Sequence, residues 1–484
     1  MKKLFFALIV VFAMNAGAQT TDTIKLGNVD FTATLRSRMY VWDWFQPTNA
    51  AYRNQYAYSG NLLRLNFAEK RGALDLDAEI AVPFLLGMPS NATAPAPQGA
   101  LGLGSNYFAA NGGHQYAAFA FAKQLYARYH FGKKESESVQ AGRFEFNDAT
   151  ELAPKDATLA AVKRDRISQR LIGTFGFSDV GRSFDGARYS WSQPATDFTF
   201  VAATPTRGVF QTDGWGWNRV GFAYAAFTKE WGHGHHAADT RFFAIDYDDF
   251  RHILKTDNRP IDVRKGDTDN IHIQTWGGHS LHTFTTKAGT VDALGWVALQ
   301  TGRWGTQLQR AYAFDAEAGY QPAILPKLKP WLRAGFSMGS GDGDANDRRH
   351  ETFFQILPTP RPYARFPFFN MMNTEDAFGA MILRPHAKIT VSSEFHSLRL
   401  SNPNDLWYSG GGAFQPWTFG FTGRSASGRR SLGNLYDTSV EYRASRHMIF
   451  TAYLGYTQGL AAMEQVYPAG KDGRFGYVEA LFRM

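Results

Sequence analysis

The sequence predicts an all-β fold, a transmembrane antiparallel β-barrel of 18 strands with long extracellular loops and short periplasmic turns. Three observations predict it. Apolar and polar residues alternate with a period of two through most of the chain, connections alternate between short and long, and no run of 18 apolar residues follows the N-terminal segment. A period of two is the period of a strand. Strands cross hydrocarbon only in a closed sheet, where every backbone group finds a neighbour.

The N-terminus fits an exported barrel. Lys2 and Lys3 precede an apolar run from Leu4 to Met14, and Ala16-Gly17-Ala18 supplies a small-residue cleavage site. The run is too short to span a bilayer, so residues 1–18 read as a secretory signal peptide and residues 19–484 as the barrel, bound for the bacterial outer membrane. The chain has no cysteine, so its core or a closed hydrogen-bond ladder, rather than disulfides, must hold it. Aromatic residues make up 15% of it and mean hydropathy is −0.33, a negative value that suits a wall of which only alternate residues meet lipid.

The first strand is DFTATLRSRMYV, where Phe31, Ala33, Leu35, Met39 and Val41 oppose Asp30, Thr32, Thr34, Arg36 and Arg38. In ALDLDAEIAV, Leu74, Leu76, Ala78, Ile80 and Val82 oppose Asp75, Asp77 and Glu79. KQLYARYHF, AYAFDAEAGYQ and LYDTSVEYR repeat the pattern. The predicted strands are 31–41, 60–67, 73–82, 117–131, 137–147, 184–192, 196–203, 219–229, 239–248, 279–287, 291–301, 311–321, 329–338, 375–384, 387–399, 434–443, 447–457 and 474–483. Alternation is poorest in 219–229, 239–248 and 279–287. Short connections such as 68–72, 132–136 and 192–196 separate long ones rich in Gly, Pro, Asn and Asp, among them 83–116, 148–183 and 339–374. Loops this long are unusual in a soluble sandwich. Loops 83–116 and 339–374 are long enough to fold inward and block the pore. Aromatic residues near strand ends, including Tyr40, Trp42, Tyr129, Tyr442 and Phe482, are expected in interfacial girdles.

Parity also selects the lumen. Opposite the apolar face lie Arg36, Arg38, Arg64, Arg128, Arg143, Arg188, Arg333 and Arg443, with Glu145, Glu394, His396 and Glu441 among them. Arginine stays charged and offers a planar fork of donors that matches carboxylates. A lumen rich in it prefers anions. Net charge is +8, or +6 once Lys2 and Lys3 are removed, which for an exported chain points to anionic solutes or lipopolysaccharide and not to nucleic acid.

Other motifs are weaker. DGDAND places Asp342, Asp344 and Asn346 as in a calcium loop, but Phe353 stands where a bidentate Glu belongs, so a polar turn is expected and no metal or other cofactor is assigned. HGHH (His233–His236) falls in a predicted periplasmic turn. No G-x-S-x-G, H-E-x-x-H or phosphate loop occurs, and Ser393 and His396 face opposite ways by parity, so no enzyme is predicted.

An ordered set of segments resembles the bacterial alginate-export family of outer-membrane porins. They are AGRFEF (141–146), RLIGTFGFSDVGRSFDGARYSW (170–191), YAFDAEAGYQ (312–321), LRAGFSMGSGDGD (332–344), TFFQILPT (352–359), FFNMMNTEDAFGAMILRP (368–385) and ITVSSEFHSLRLSNPNDLWYSGGG (389–412). The resemblance implies an 18-stranded porin that passes negatively charged polysaccharide. The expected function is passive diffusion of a uronate polysaccharide such as alginate, or its fragments, through an arginine-lined pore. The expected partners are anionic saccharides or other small anions, outer-membrane lipid and lipopolysaccharide, and periplasmic export or uptake machinery, around a monomeric barrel. A general or plugged porin without anion selectivity, and an outer-membrane barrel enzyme, stay open as alternatives.

Overall fold

A computed structural model describes residues 23–359 and 365–484; the expected signal peptide lies outside these. Eighteen long strands close into one antiparallel barrel. They are β1 (Val29–Asp43), β2 (Gln55–Arg71), β3 (Leu74–Leu86), β4 (Phe121–Phe131), β5 (Glu137–Phe144), β6 (Phe184–Gln193), β7 (Thr196–Pro205), β8 (Val220–His233) and β9 (His236–Asp249), followed by β10 (Ile271–Thr286), β11 (Gly289–Trp304), β12 (Gln307–Pro322), β13 (Trp331–Gly339), β14 (Thr374–His386), β15 (Ile389–Leu400), β16 (Ser431–Arg443), β17 (Met448–Gly459) and β18 (Gly473–Arg483). Each strand pairs with its sequence neighbours, and β1 closes the ring against β18 in a register that sets Arg38 opposite Glu479. No described helix is long and apolar enough to cross a membrane, so the strands do the crossing.

All predicted strands form, including the three with poor alternation. The tenth was predicted at 279–287 and begins eight residues earlier, at Ile271, because HIQTW continues the ladder against β9 and β11. One outer connection is a tight turn: Gly305 and Thr306 alone join β11 to β12, and Gly305 takes a φ of +59° that favours glycine.

The outer face carries Met39, Val41, Leu125, Phe242, Leu299, Leu454 and Val478, all exposed, with Phe242 at 67%. Keeping such side chains in water would forgo roughly 1.5–3 kcal/mol each, which a lipid surround restores. Tyr129, Tyr442 and Phe482 are exposed near strand ends, as interfacial aromatics are. Tyr40 and Trp42 correct the expectation: both are on the lumen face and buried. Tyr40 stacks on Tyr58 at 4.7 Å and Trp42 on Phe475 at 4.0 Å.

The lumen is filled from above. The 87–120 loop carries α1 (Leu103–Ala110), whose Tyr107 hydroxyl accepts from the Asp179 backbone N–H at 2.8 Å. The 145–183 loop descends into the barrel with α2 (Ala157–Val162), capped by Asp156, and one wider turn, Lys163–Ile167. It meets the 340–373 loop in a short parallel contact: Leu357 N–H donates to Leu171 carbonyl oxygen at 2.7 Å, and Gly173 N–H to that of Leu357 at 2.8 Å. Phe353, Phe354, Ile356 and Leu357 are fully buried around it. Thus the described part of the 339–374 loop folds inward as its length allowed, and the 87–120 loop packs Tyr107 against Tyr58 of the wall; the third inward loop, 145–183, is one that sequence length alone did not distinguish.

Candidate functional site

The inward 145–183 loop is basic and the wall facing it is acidic. Lys163 Nζ meets Asp239 Oδ2 at 3.0 Å, Arg166 Nε meets Glu317 Oε1 at 2.8 Å, and Arg170 meets Asp315 Oδ2 at 2.5 Å. Arg333 on the wall shares Glu317 at 2.7 Å and also bonds Asp292. Wall carboxylates from β9 and β12 therefore anchor the plug, while Asp292 on β11 is taken up by the wall's own Arg333. Buried pairs like these offset a desolvation cost of several kcal/mol per ion, so they fix position more than they add stability. None of Lys163, Arg166 and Arg170 was identified from sequence, because a loop has no parity to read.

The segment Thr174–Arg182 divides the interior. Above it, a cavity of about 230 Å³ opens among the outer loops, lined by Trp44, Phe175, Phe210, Trp417, Phe419 and Phe421. Below it, a chamber of about 310 Å³ is lined by Arg36, Arg38, Arg64, Lys123 and Arg483 against Glu145 and Glu479. A second chamber of about 160 Å³, near the periplasmic ends of β13–β15, has Arg164, Arg166, Arg333 and Arg365 against Asp165 and Glu394. Both lower chambers carry more cations than carboxylates.

Arg182 holds the dividing segment. Its Nη2 donates to the carbonyl oxygens of Pro358 and Gly412, each at 3.1 Å, so one guanidinium ties three loops. Among the described residues no carboxylate pairs with it, and burial pushes it down to about 9, still a cation at neutral pH.

The sequence-predicted residues separate into groups. Arg36 donates to the carbonyl oxygen of Gly176 at 2.6 Å, and Arg38 to that of Phe177 at 2.6 Å while also pairing with Glu479. Arg64 bridges Glu79 at 2.6 Å and Glu145 at 2.8 Å. Arg128 and Arg188 lie on the lumen face on either side of Gln140. Arg128 bonds the Gln140 side-chain oxygen at 2.6 Å, Arg188 bonds Ser190 Oγ at 2.9 Å, and among the described residues neither forms an ion pair. His396 bonds Asp376 at 2.9 Å and Glu394 at 3.3 Å. Arg443 and Glu441 pair at 2.9 Å, exposed at the periplasmic mouth.

Arg143 is the exception. Its cross-strand partner is Leu125, 59% exposed on the lipid face, so Arg143 points outward and not into the lumen. There it forms a two-pronged pair with Asp185 at 2.8 and 2.7 Å, with Trp215 over it at 5.3 Å. The lumen set of β5 is Gln140 and Phe144, and Glu145 enters the lumen only because the strand ends at Phe144. Counting parity across a strand end made Arg143 and Glu145 look alike.

Asp342, Asp344 and Asn346 form successive polar turns, the Asp344 N–H donating to Asp342 Oδ1 at 3.1 Å and the Asn346 N–H to Asp344 Oδ1 at 2.9 Å. His236 of the HGHH turn bonds His282 at 3.2 Å. Ser393 bonds Thr438 at 2.9 Å on the outer face while His396 is buried inside.

A family model for alginate export matches residues 161–457, more than half of the sequence. The chain belongs to the alginate-export family. The matched region starts at the end of α2 and takes in Arg182 and most of the plug. No curated protein matches the chain. Among solved structures it is similar to the Pseudomonas aeruginosa outer membrane protein OpdK (TM-score 0.54, 7% identity, 94% of this chain and 99% of that one) and to P. aeruginosa OccK9 (OpdG) (0.58, 10%, 94% and 99%). It is also similar to Acinetobacter baumannii OccAB2 (0.57, 8%, 94% and 98%). At such identities the likeness is one of fold: this member of the alginate-export family has an outer-membrane porin barrel.

Proposed function

We propose that the protein passes anionic solutes by passive diffusion, and that its substrates are uronate polysaccharides such as alginate, or their fragments. The observation that carries this reading is the lower chamber, where five cationic side chains line the space with Glu145 and Glu479, while Asp179 and Glu79 pair with Arg36 and Arg64 from behind and leave a net positive lining. In a narrow, low-dielectric space such an excess focuses the field and concentrates anions. Arg128 and Arg188 add two lumen guanidiniums without acid partners among the described residues. Paired groups such as Arg64 and Glu145 keep the lumen from holding a carboxylate too tightly to release it. Family membership supports a saccharide over a simple inorganic anion. In this reading residues 1–18 are removed on export, the barrel works as a monomer in lipopolysaccharide-bearing membrane beside periplasmic machinery, and it is not an enzyme and uses no cofactor. Arg36, Arg38 and Arg64 hold the solute in the chamber.

The test is current through the purified barrel in a planar bilayer under a salt gradient, with and without uronate oligomers. A reversal potential favouring anions, and block by the oligomers, is expected. A cation-favouring or ideal non-selective potential overturns the reading.

A second reading, a barrel plugged at rest, has its own observation: the 145–183 and 340–373 loops meet inside the lumen. It predicts rare openings rather than a different selectivity, so the same recordings separate the two.

A further inference from the structure

The 340–373 loop holds a buried carboxylate with one oxygen that finds no hydrogen-bond donor among the described residues. Asp342 is 1% exposed, and its Oδ2 has no hydrogen-bond partner. Its other oxygen accepts only the Asp344 N–H. No lysine or arginine pairs with it among the described residues. Asp405, Asp347 and Glu351 instead add negative charge around it. A second orphan lies against the same loop. Asn258, from the 250–270 loop, donates to the Asp342 carbonyl oxygen at 3.2 Å, and its own side-chain oxygen is buried without a donor. A buried unpaired charge and a buried unpaired acceptor each cost free energy that proteins usually avoid. Both are oxygen acceptors, on two loops joined by the Asn258–Asp342 hydrogen bond, and a hard cation is a group that satisfies such oxygens at once.

We infer that the outer loops build a calcium site from Asp342 and Asn258, completed by the carboxylate of Asp344. Asp405 is not a ligand. Its oxygens already accept from the Asp342 N–H at 2.9 Å, Thr352 Oγ1 at 2.6 Å and Tyr408 Oη at 2.8 Å, so it positions the loop. The site is not a helix-loop-helix calcium loop: Phe353, where that motif needs a bidentate Glu, is fully buried in the plug. Ligands come instead from two separate loops, so the ion clamps 250–270 to 340–373 and thereby holds the plug from above. All ligands are oxygens and the site faces the outside, which fits the weak end of calcium affinities, dissociation constants of about 10⁻⁴–10⁻³ M. Magnesium, with its stricter octahedral geometry, is bound less well.

The mature full-length chain, refolded into detergent without lipopolysaccharide, is titrated with calcium chloride and with magnesium chloride by calorimetry. Melting is then compared in calcium and in a chelator. Wild-type protein binds one calcium in the range above and melts several degrees higher in calcium. Asp342→Asn removes the unpaired charge, so it folds, melts at or above the wild-type temperature in chelator, and loses the calcium shift. Asp344→Asn, at an exposed position, weakens binding at least tenfold and stands in should Asp342→Asn fail to fold. Equal wild-type melting with and without calcium, or unchanged binding in the variants, overturns the site; a proton on Asp342 would then be its only occupant. None of these readings depends on which solute the barrel passes.

Discussion

Arg170 in the inward loop and Asp315 on β12 meet at 2.5 Å, both fully buried. The pair joins a segment that could leave the lumen to a wall that cannot. Removing one partner strands the other charge, a cost of about 3–5 kcal/mol. Asp315→Asn is therefore expected to undock the plug: single-channel conductance rises and the 145–183 loop becomes open to protease, while the barrel still resists heat in detergent. Unchanged conductance and cleavage would show that the plug is held elsewhere.

Arg128 and Arg188 are wall guanidiniums on the lumen face that form no ion pair among the described residues. Replacing both with Gln keeps hydrogen-bonding capacity and deletes two charges. The ratio of anion to cation permeability is expected to fall by about two- to fivefold, since a few focused charges set the field. Reversal potentials under a salt gradient measure it directly.

Arg143 provides the contrast. It lies outside the wall, paired with Asp185. Arg143→Ala is expected to leave the reversal potential unchanged, and to lower stability because Asp185 loses its two-pronged partner. A shift in selectivity as large as that of the Arg128/Arg188 variant would place it in the conduction path.

Asp148 gives the plug a pH dependence. Burial pushes its carboxyl up to about 6, partly offset by Arg241 at 3.8 Å and by the N–H groups of Leu171 and Ile172, with Glu151 opposing them. A carboxyl raised in the folded state binds its proton more readily there than in the unfolded chain. Its contribution is thus favourable below about pH 4 and is lost as pH rises through 6. Channel openings are expected to be rarer at pH 5 than at pH 7.5, and Asp148→Asn to flatten that difference. Recordings at the two pH values check it.

Sequence alone determined the class, the 18 strands, the lipid and lumen faces of most of them and the family, because a two-residue period and turn chemistry are local signals. It also placed Arg36, Arg38, Arg64, Arg128, Arg188 and Arg333 on the lumen face. Tertiary structure decided the rest. Whether an arginine is free or neutralised depends on partners far along the chain: Arg38 meets Glu479, and Arg170 meets Asp315. Which long loop fills the pore depends on whether its cations find wall carboxylates; Arg143 faces outward because its register sets it beside Leu125, and Glu145 reaches the lumen because β5 ends at Phe144. No local pattern carries such long-range pairings, since their energies exist only once the ring has closed.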